Sequence, residues 1–222
     1  MLAEGANIDG RSLSPLCAVV LAAGRSERFG SPKSLLRWGC ASLVAHQVHT
    51  LLESAHIGEV LVVTGYGEPD VRAALHGLPI RLVHNHVYAS GRATSVACGA
   101  RAVGTGRSGL LLANVDQPLH SRALGDLVTS WLDQPTDIVR PLCAGRHGHP
   151  VIFPSDLREE LTEVNDPGGG PRALLRRHPQ RVRDIPTTYA QVLLNLNTRE
   201  AYTAAIIAHA PAGTDEDRAP TP

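Results

Sequence analysis

Short apolar runs alternate with helix-periodic segments along most of this 222-residue chain, and that alternation leaves few folds open. CAVVLAA (17–23), EVLVVTG (59–65), IRLVHN (80–85), GLLLANVD (109–116) and DIVRP (137–141) read as strands. The runs are continuous rather than alternating, the mark of strands covered on both faces. Between them lie SLVAHQVHTLLESA (42–55), with Leu43, Val44, Val48, Leu51 and Leu52 on one helical face, then EPDVRAAL (68–75), ATSVACGARAV (93–103) and SRALGDLVTSWL (121–132). The pattern predicts an α/β fold with a mostly parallel central sheet between helical layers. Such sheets bind ligands beyond the carboxyl ends of their strands. The residues to watch therefore follow the runs: Ala22 to Lys33, Gly65, Asn85 and Asp116.

The length suits one large α/β domain or at most two small ones, and a single domain is expected over residues 15–209. Residues 1–14 read as a flexible leader and the proline-rich, acidic 210–222 as a disordered tail. Charge balances to zero, which argues against a nucleic-acid partner, and at 4% aromatics there is little to stack bases on. No apolar run reaches the ~20 residues that span a bilayer, and no secretory signal is seen. Cys17, Cys40, Cys98 and Cys143 are scattered without a CxxC pair, so buried, reduced thiols and a cytoplasmic location are expected.

The loop after the first strand, GRSERFGSPK (24–33), has the ingredients of a phosphate site and matches neither common pattern. A P-loop needs GxxxxGK[ST] and a dinucleotide fingerprint GxGxxG, and the glycine spacing here satisfies neither. Small residues Ala22, Ala23 and Gly24 still let backbone amides approach an anion. Arg25, Arg28 and Lys33 add positive charge. Lys33 is the only lysine in the chain; every other cationic residue is arginine. A lysine is by default a solvated surface residue, and a lone one at the end of such a loop points instead to a compact charge set against phosphate.

LAAGRSERFGSPKSLL (21–36) resembles the LAAGxSxRxGxxKxLL signature of the MobA-like nucleotidyltransferases, and within them most closely the molybdenum cofactor cytidylyltransferases. The resemblance continues through GYGEPDV (65–71), GRATSVACG (91–99), NVDQP (114–118), GHPVIF (148–153) and LNLNTREAY (194–202), covering roughly residues 17 to 205. It implies a Rossmann-like three-layer sandwich and a Mg²⁺-dependent transfer of a nucleoside monophosphate, here CMP from CTP, to the phosphate of a molybdopterin-type cofactor. Pyrophosphate would leave, and a recipient molybdoenzyme would be a partner. Catalysis would fall to Lys33, Arg28 and Asp116, and nucleotide binding to Leu21, Ala22, Ala23, Gly24, Arg28, Lys33, Gly65, Ser95 and Asp116. His149 and Arg172 would bind the acceptor, and Asp116 with Asn197 the metal.

Bland readings stand beside these: Asp116 as a turn or capping aspartate, and Gly91 and Ser95 as an ordinary helix start. One departure is plain. The family's second metal-binding aspartate is replaced by Asn197, whose carbonyl can ligate but brings no charge. Two alternatives follow: another phosphorylated acceptor or another nucleoside triphosphate, or a weakly catalytic homologue that binds nucleotide or cofactor.

Overall fold

The computed structural model describes residues 7–8, 11–12, 16–26, 29 and 32–209. Among them eight strands join one sheet. These are β1 (Leu16–Leu21), β2 (Ile57–Thr64), β3 (Arg81–His84), β4 (Gly109–Asn114), β5 (Ile138–Cys143), β6 (Arg146–His147), β7 (Val151–Pro154) and β8 (Val182–Pro186). Their order is β6-β5-β7-β4-β1-β2-β3, with β8 alongside β5. β1 lies parallel to β2 and β4, β2 to β3, and β5 to β8. β7 runs antiparallel between β4 and β5, and β6 folds back on β5.

All six residues of β1 and of β4 are buried. Alternate side chains feed two separate cores. Ala18, Val20, Leu111 and Ala113 face one, and Cys17, Val19, Leu110 and Leu112 the other. The first core is closed by α1 (Leu43–Leu52), α2 (Glu68–Ala74), α4 (Ser121–Asp133) and α7 (Arg199–His209), through Val48, Val71, Leu127 and Ala205. The second is closed by α3 (Arg92–Ala102), α5 (Arg158–Thr162) and α6 (Arg172–Arg177), through Val96, Leu161 and Leu174. Helices on both faces of a mostly parallel sheet make the three layers that the strand–helix alternation predicts. Gly99 of α3 has no room for a Cβ, which would run into Val19, so α3 lies directly on β1.

Several details differ from expectation. The first strand stops at Leu21, so Ala22 and Ala23 belong to the loop, and β4 stops at Asn114, which puts Asp116 in the following turn rather than on the strand. β6, β7, β8, α5 and α7 carry no strong periodicity. β8 is laced with Arg183 and Asp184 and half-buried, and β7 is four residues long. Of residues 1–14, the described Asn7–Ile8 and Arg11–Ser12 pair as an antiparallel ladder, and the expected tail 210–222 lies outside the described residues. No described helix is long and apolar enough to cross a membrane. All four cysteines are free; Cys17 and Cys143 are buried as expected, whereas Cys98 is half-buried and Cys40 exposed. Burial pushes the Cys17 thiol up to about 12.

Candidate active site

Chain order reverses between β1 and β4, since β2 lies on one side of β1 and β4 on the other. A cavity of about 230 Å³ opens there, at the carboxyl ends of both strands, where open α/β sheets bind ligands. Of the sequence-predicted residues, Leu21, Ala22, Ala23, Gly24, Lys33, Ser95 and Asp116 line it. Ala22 N donates to Val63 O and Tyr66 N to Ala23 O, so β2 and the residues after it hold the small-residue loop in place. Gly65 stands behind that loop: a Cβ there would meet Tyr88 at 2.7 Å and Ala23 O at 2.8 Å. Arg25 lies over the Tyr88 ring, 5.6 Å from its centroid. Arg28 falls outside the described residues.

Lys33 is the centre of the polar wall. Its backbone N–H donates to Ser26 Oγ (2.8 Å), and its Nζ donates to Asp116 Oδ2 (3.1 Å) and Asn197 Oδ1 (2.6 Å). Asn197 is 164 residues away in sequence, yet its place is set by a short tie. Leu196 is fully buried in the core and its N–H donates to Asp116 O (2.9 Å). Asp116 is placed from below by Gln47 of α1, which is fully buried. Gln47 Nε2 donates to Asn114 O (2.7 Å) and Gln117 O (2.9 Å), and its Oε1 accepts from Leu119 N (2.8 Å). One amide thus fixes the whole turn 114–119. Ser34 Oγ, buried and without a hydrogen-bond partner among the described residues, lies in the same wall.

The opposite wall is basic. Arg92, the first residue of α3, donates from a guanidinium N–H to Asn114 Oδ1 (2.7 Å). Burial lowers its pKa, with Arg172 adding and Asp116 and Asp166 opposing. With Oδ1 taken, Asn114 Nδ2 turns to Gln117 Oε1 and His149 Nδ1, the latter at 3.4 Å. Burial first, then Arg92 and Arg172, drive His149 down to about 4, so the imidazole is neutral at pH 7. Its Nδ1 receives the Asn114 proton, which leaves the ring proton on Nε2. Arg172 opens α6 as an exposed residue whose charge reaches both Arg92 and His149. Ser95 Oγ accepts from Asn85 Nδ2 (3.0 Å), and both Asp166 carboxylate oxygens accept from Ala93 N (3.1 Å each).

Arg92 and Asn114 lie inside the GRATSVACG and NVDQP stretches without a role having been assigned to them, and Gln47 and Asp166 are further site residues that the sequence reading did not single out. Gln47 has a sequence trace of its own, a polar residue spaced by three and four from Leu43, Val44 and Leu51 on an apolar helix face.

Residues 18–182 match the model of the MobA-like NTP transferase domain. The chain belongs to that family. The nicotine blue oxidoreductase of Paenarthrobacter nicotinovorans is 32% identical to it over 175 residues, 72% of this chain and 81% of that protein. The molybdenum cofactor cytidylyltransferase of Escherichia coli K12 is 23% identical over 195 residues, 87% of this chain and 96% of that protein. Among solved structures, Rv0371c from Mycobacterium tuberculosis H37Rv superposes with a TM-score of 0.73 at 25% identity, covering 87% of this chain and 98% of that one. A second structure of that protein is a complex with manganese.

Family membership fits the donors of the polar wall. Among the described residues no three His, Cys, Asp or Glu side chains gather as a metal-binding group. Asp116 and Asn197 nevertheless aim two oxygens at one cationic atom. A hard divalent cation that keeps water and substrate phosphates as its other ligands needs no more from the protein.

Proposed function

We propose that this MobA-like nucleotidyltransferase moves CMP from CTP to the phosphate of a molybdopterin-type molybdenum cofactor and releases pyrophosphate. The observation that supports it most is the Lys33–Asp116–Asn197 cluster, which puts an ammonium and a pair of metal-ligating oxygens side by side in the switch-point cavity. CTP would lie over residues 21–33, a loop backed by Gly65, with its base near Ser95. Lys33 and Arg28 would hold its phosphates. Mg²⁺, held by Asp116 and Asn197, would neutralise phosphate charge when bound.

The acceptor's phosphate oxygen attacks the α-phosphorus in line as the bond to the β-phosphate oxygen breaks. The nucleophile is already an anion, so the protein need only bring two anions together and screen them. Arg92 and Arg172 supply that screening on the acceptor side. Neutral His149 would donate a hydrogen bond from Nε2–H to an acceptor oxygen, with no proton transferred. The four unpaired cysteines support a cytoplasmic setting, where a recipient molybdoenzyme would collect the product.

Pyrophosphate release by the purified chain with Mg²⁺, each nucleoside triphosphate and molybdopterin cofactor tests this. Turnover confined to CTP and that cofactor is expected. Turnover with another nucleotide or acceptor moves the substrate within the family. Asn197 and the Paenarthrobacter relative favour a second reading, nucleotide binding without transfer. Nucleotide binding with no pyrophosphate release from any of the four nucleoside triphosphates, and release restored by Asn197→Asp, would establish that reading instead.

A further inference from the structure

We infer that Lys33 is the resident cation of the Asp116–Asn197 site in the nucleotide-free protein, so that divalent metal enters only together with the nucleotide's phosphates. This rests on the reading of the cavity as a nucleotide site. The ammonium does not merely stand near the metal-ligating oxygens; it is hydrogen-bonded to both, at 3.1 Å and 2.6 Å. A metal ligated by Asp116 Oδ2 and Asn197 Oδ1 and an ammonium bonded to the same two atoms exclude one another.

Charge points the same way. One carboxylate and one ammonium cancel, and Asn197 adds nothing, so the cluster as it stands offers a dication no net attraction. The Arg92 guanidinium, close enough to Asp116 for the two charges to interact, tilts the balance further against a bare cation. A second carboxylate at position 197 would have left the cluster negative with Lys33 in place. The replacement by asparagine therefore does more than weaken a ligand. It makes the protein's own lysine sufficient to neutralise the site.

The lysine is built to leave. Its backbone is pinned at both ends, by the N–H to Ser26 Oγ (2.8 Å) and by the carbonyl accepting from Leu36 N (3.0 Å). Release then needs only rotation of the four-carbon stem. A triphosphate arriving over residues 21–33 presents a stronger set of anionic acceptors to the ammonium. Once Nζ turns to the phosphates, Asp116 and Asn197 are free to ligate. Metal and nucleotide each raise the affinity of the other by the same factor, as linkage requires.

Mn²⁺ binding to the full chain, followed by the electron paramagnetic resonance signal of free Mn²⁺, decides the matter without turnover. Wild type is measured alone and with a non-hydrolysable α,β-methylene CTP. Lys33→Met, Lys33→Arg and Asn197→Asp are measured with Mn²⁺ alone. Without nucleotide, Lys33→Met and Asn197→Asp are expected to bind Mn²⁺ at least about tenfold tighter than wild type, and Lys33→Arg no tighter. The CTP analogue is expected to tighten wild-type binding by a similar factor. The inference is overturned if folded Lys33→Met, or Asn197→Asp where the methionine variant does not fold, binds Mn²⁺ no tighter than wild type. Failure of the analogue to bind at all would sink the nucleotide reading, while the metal-only comparison still decides the role of Lys33.

Discussion

The two walls of the cavity are assembled by opposite means. The Lys33 wall gathers three residues from three distant segments and ties them through rigid parts: the end of β4, a buried glutamine of α1 and the backbone bond from Leu196. The basic wall is a chain of side-chain contacts running from Arg92 through Asn114 to His149. Its outer member, Arg172, is exposed, and its charge acts on both Arg92 and His149. One wall is held by backbone and a buried amide, the other by contacts between side chains.

Asp116→Asn should be the most damaging test of this contrast. It removes the one carboxylate of the polar wall among the described residues, and pyrophosphate release should fall by roughly 10²–10³-fold. Arg172→Ala, on the exposed rim, should cost far less at saturating acceptor. An equal loss from both would erase the distinction between the walls.

Gln47→Leu attacks the support rather than the site. It leaves Gln117 O and Leu119 N without the Gln47 amide and Asn114 O with only the bond from Gln117 N, and urea unfolding should show a loss of about 2 kcal/mol. A stability unchanged within error would mean that the turn holds itself.

His149 gives the smallest and most specific effect. Its folded pKa of about 4 lies below its ordinary 6.5, so between those values the unfolded chain binds the extra proton. Stability therefore falls as pH drops from 6.5 toward 4 and is level above. His149→Asn should flatten that part of the wild-type profile. If the two profiles coincide, the imidazole is not held neutral by its surroundings.

These contrasts also explain what could be read in advance. β1, β2 and β4 are central strands, and their unbroken apolar runs announce themselves. β8 sits at the side of β5 and carries Arg183 and Asp184 next to each other, which breaks its apolar run, while antiparallel β7 is too short to show a period. Within the site, Lys33 and Asp116 follow apolar strands at recognisable spacing. Asn197 was found only because a resemblance pointed to it. Arg92 and Gln47 act on residues 22 and 67 to 72 positions away, and no local pattern encodes such a distance.

The bond from Leu196 to Asp116 has a consequence for synthesis. β1 to β4 and the small-residue loop leave the ribosome well before residue 196 does. A nascent chain at that stage has its parallel strands and its lysine, but Asn197 has not been made. The Lys33–Asp116–Asn197 cluster can be completed only once that late segment has been made and has docked.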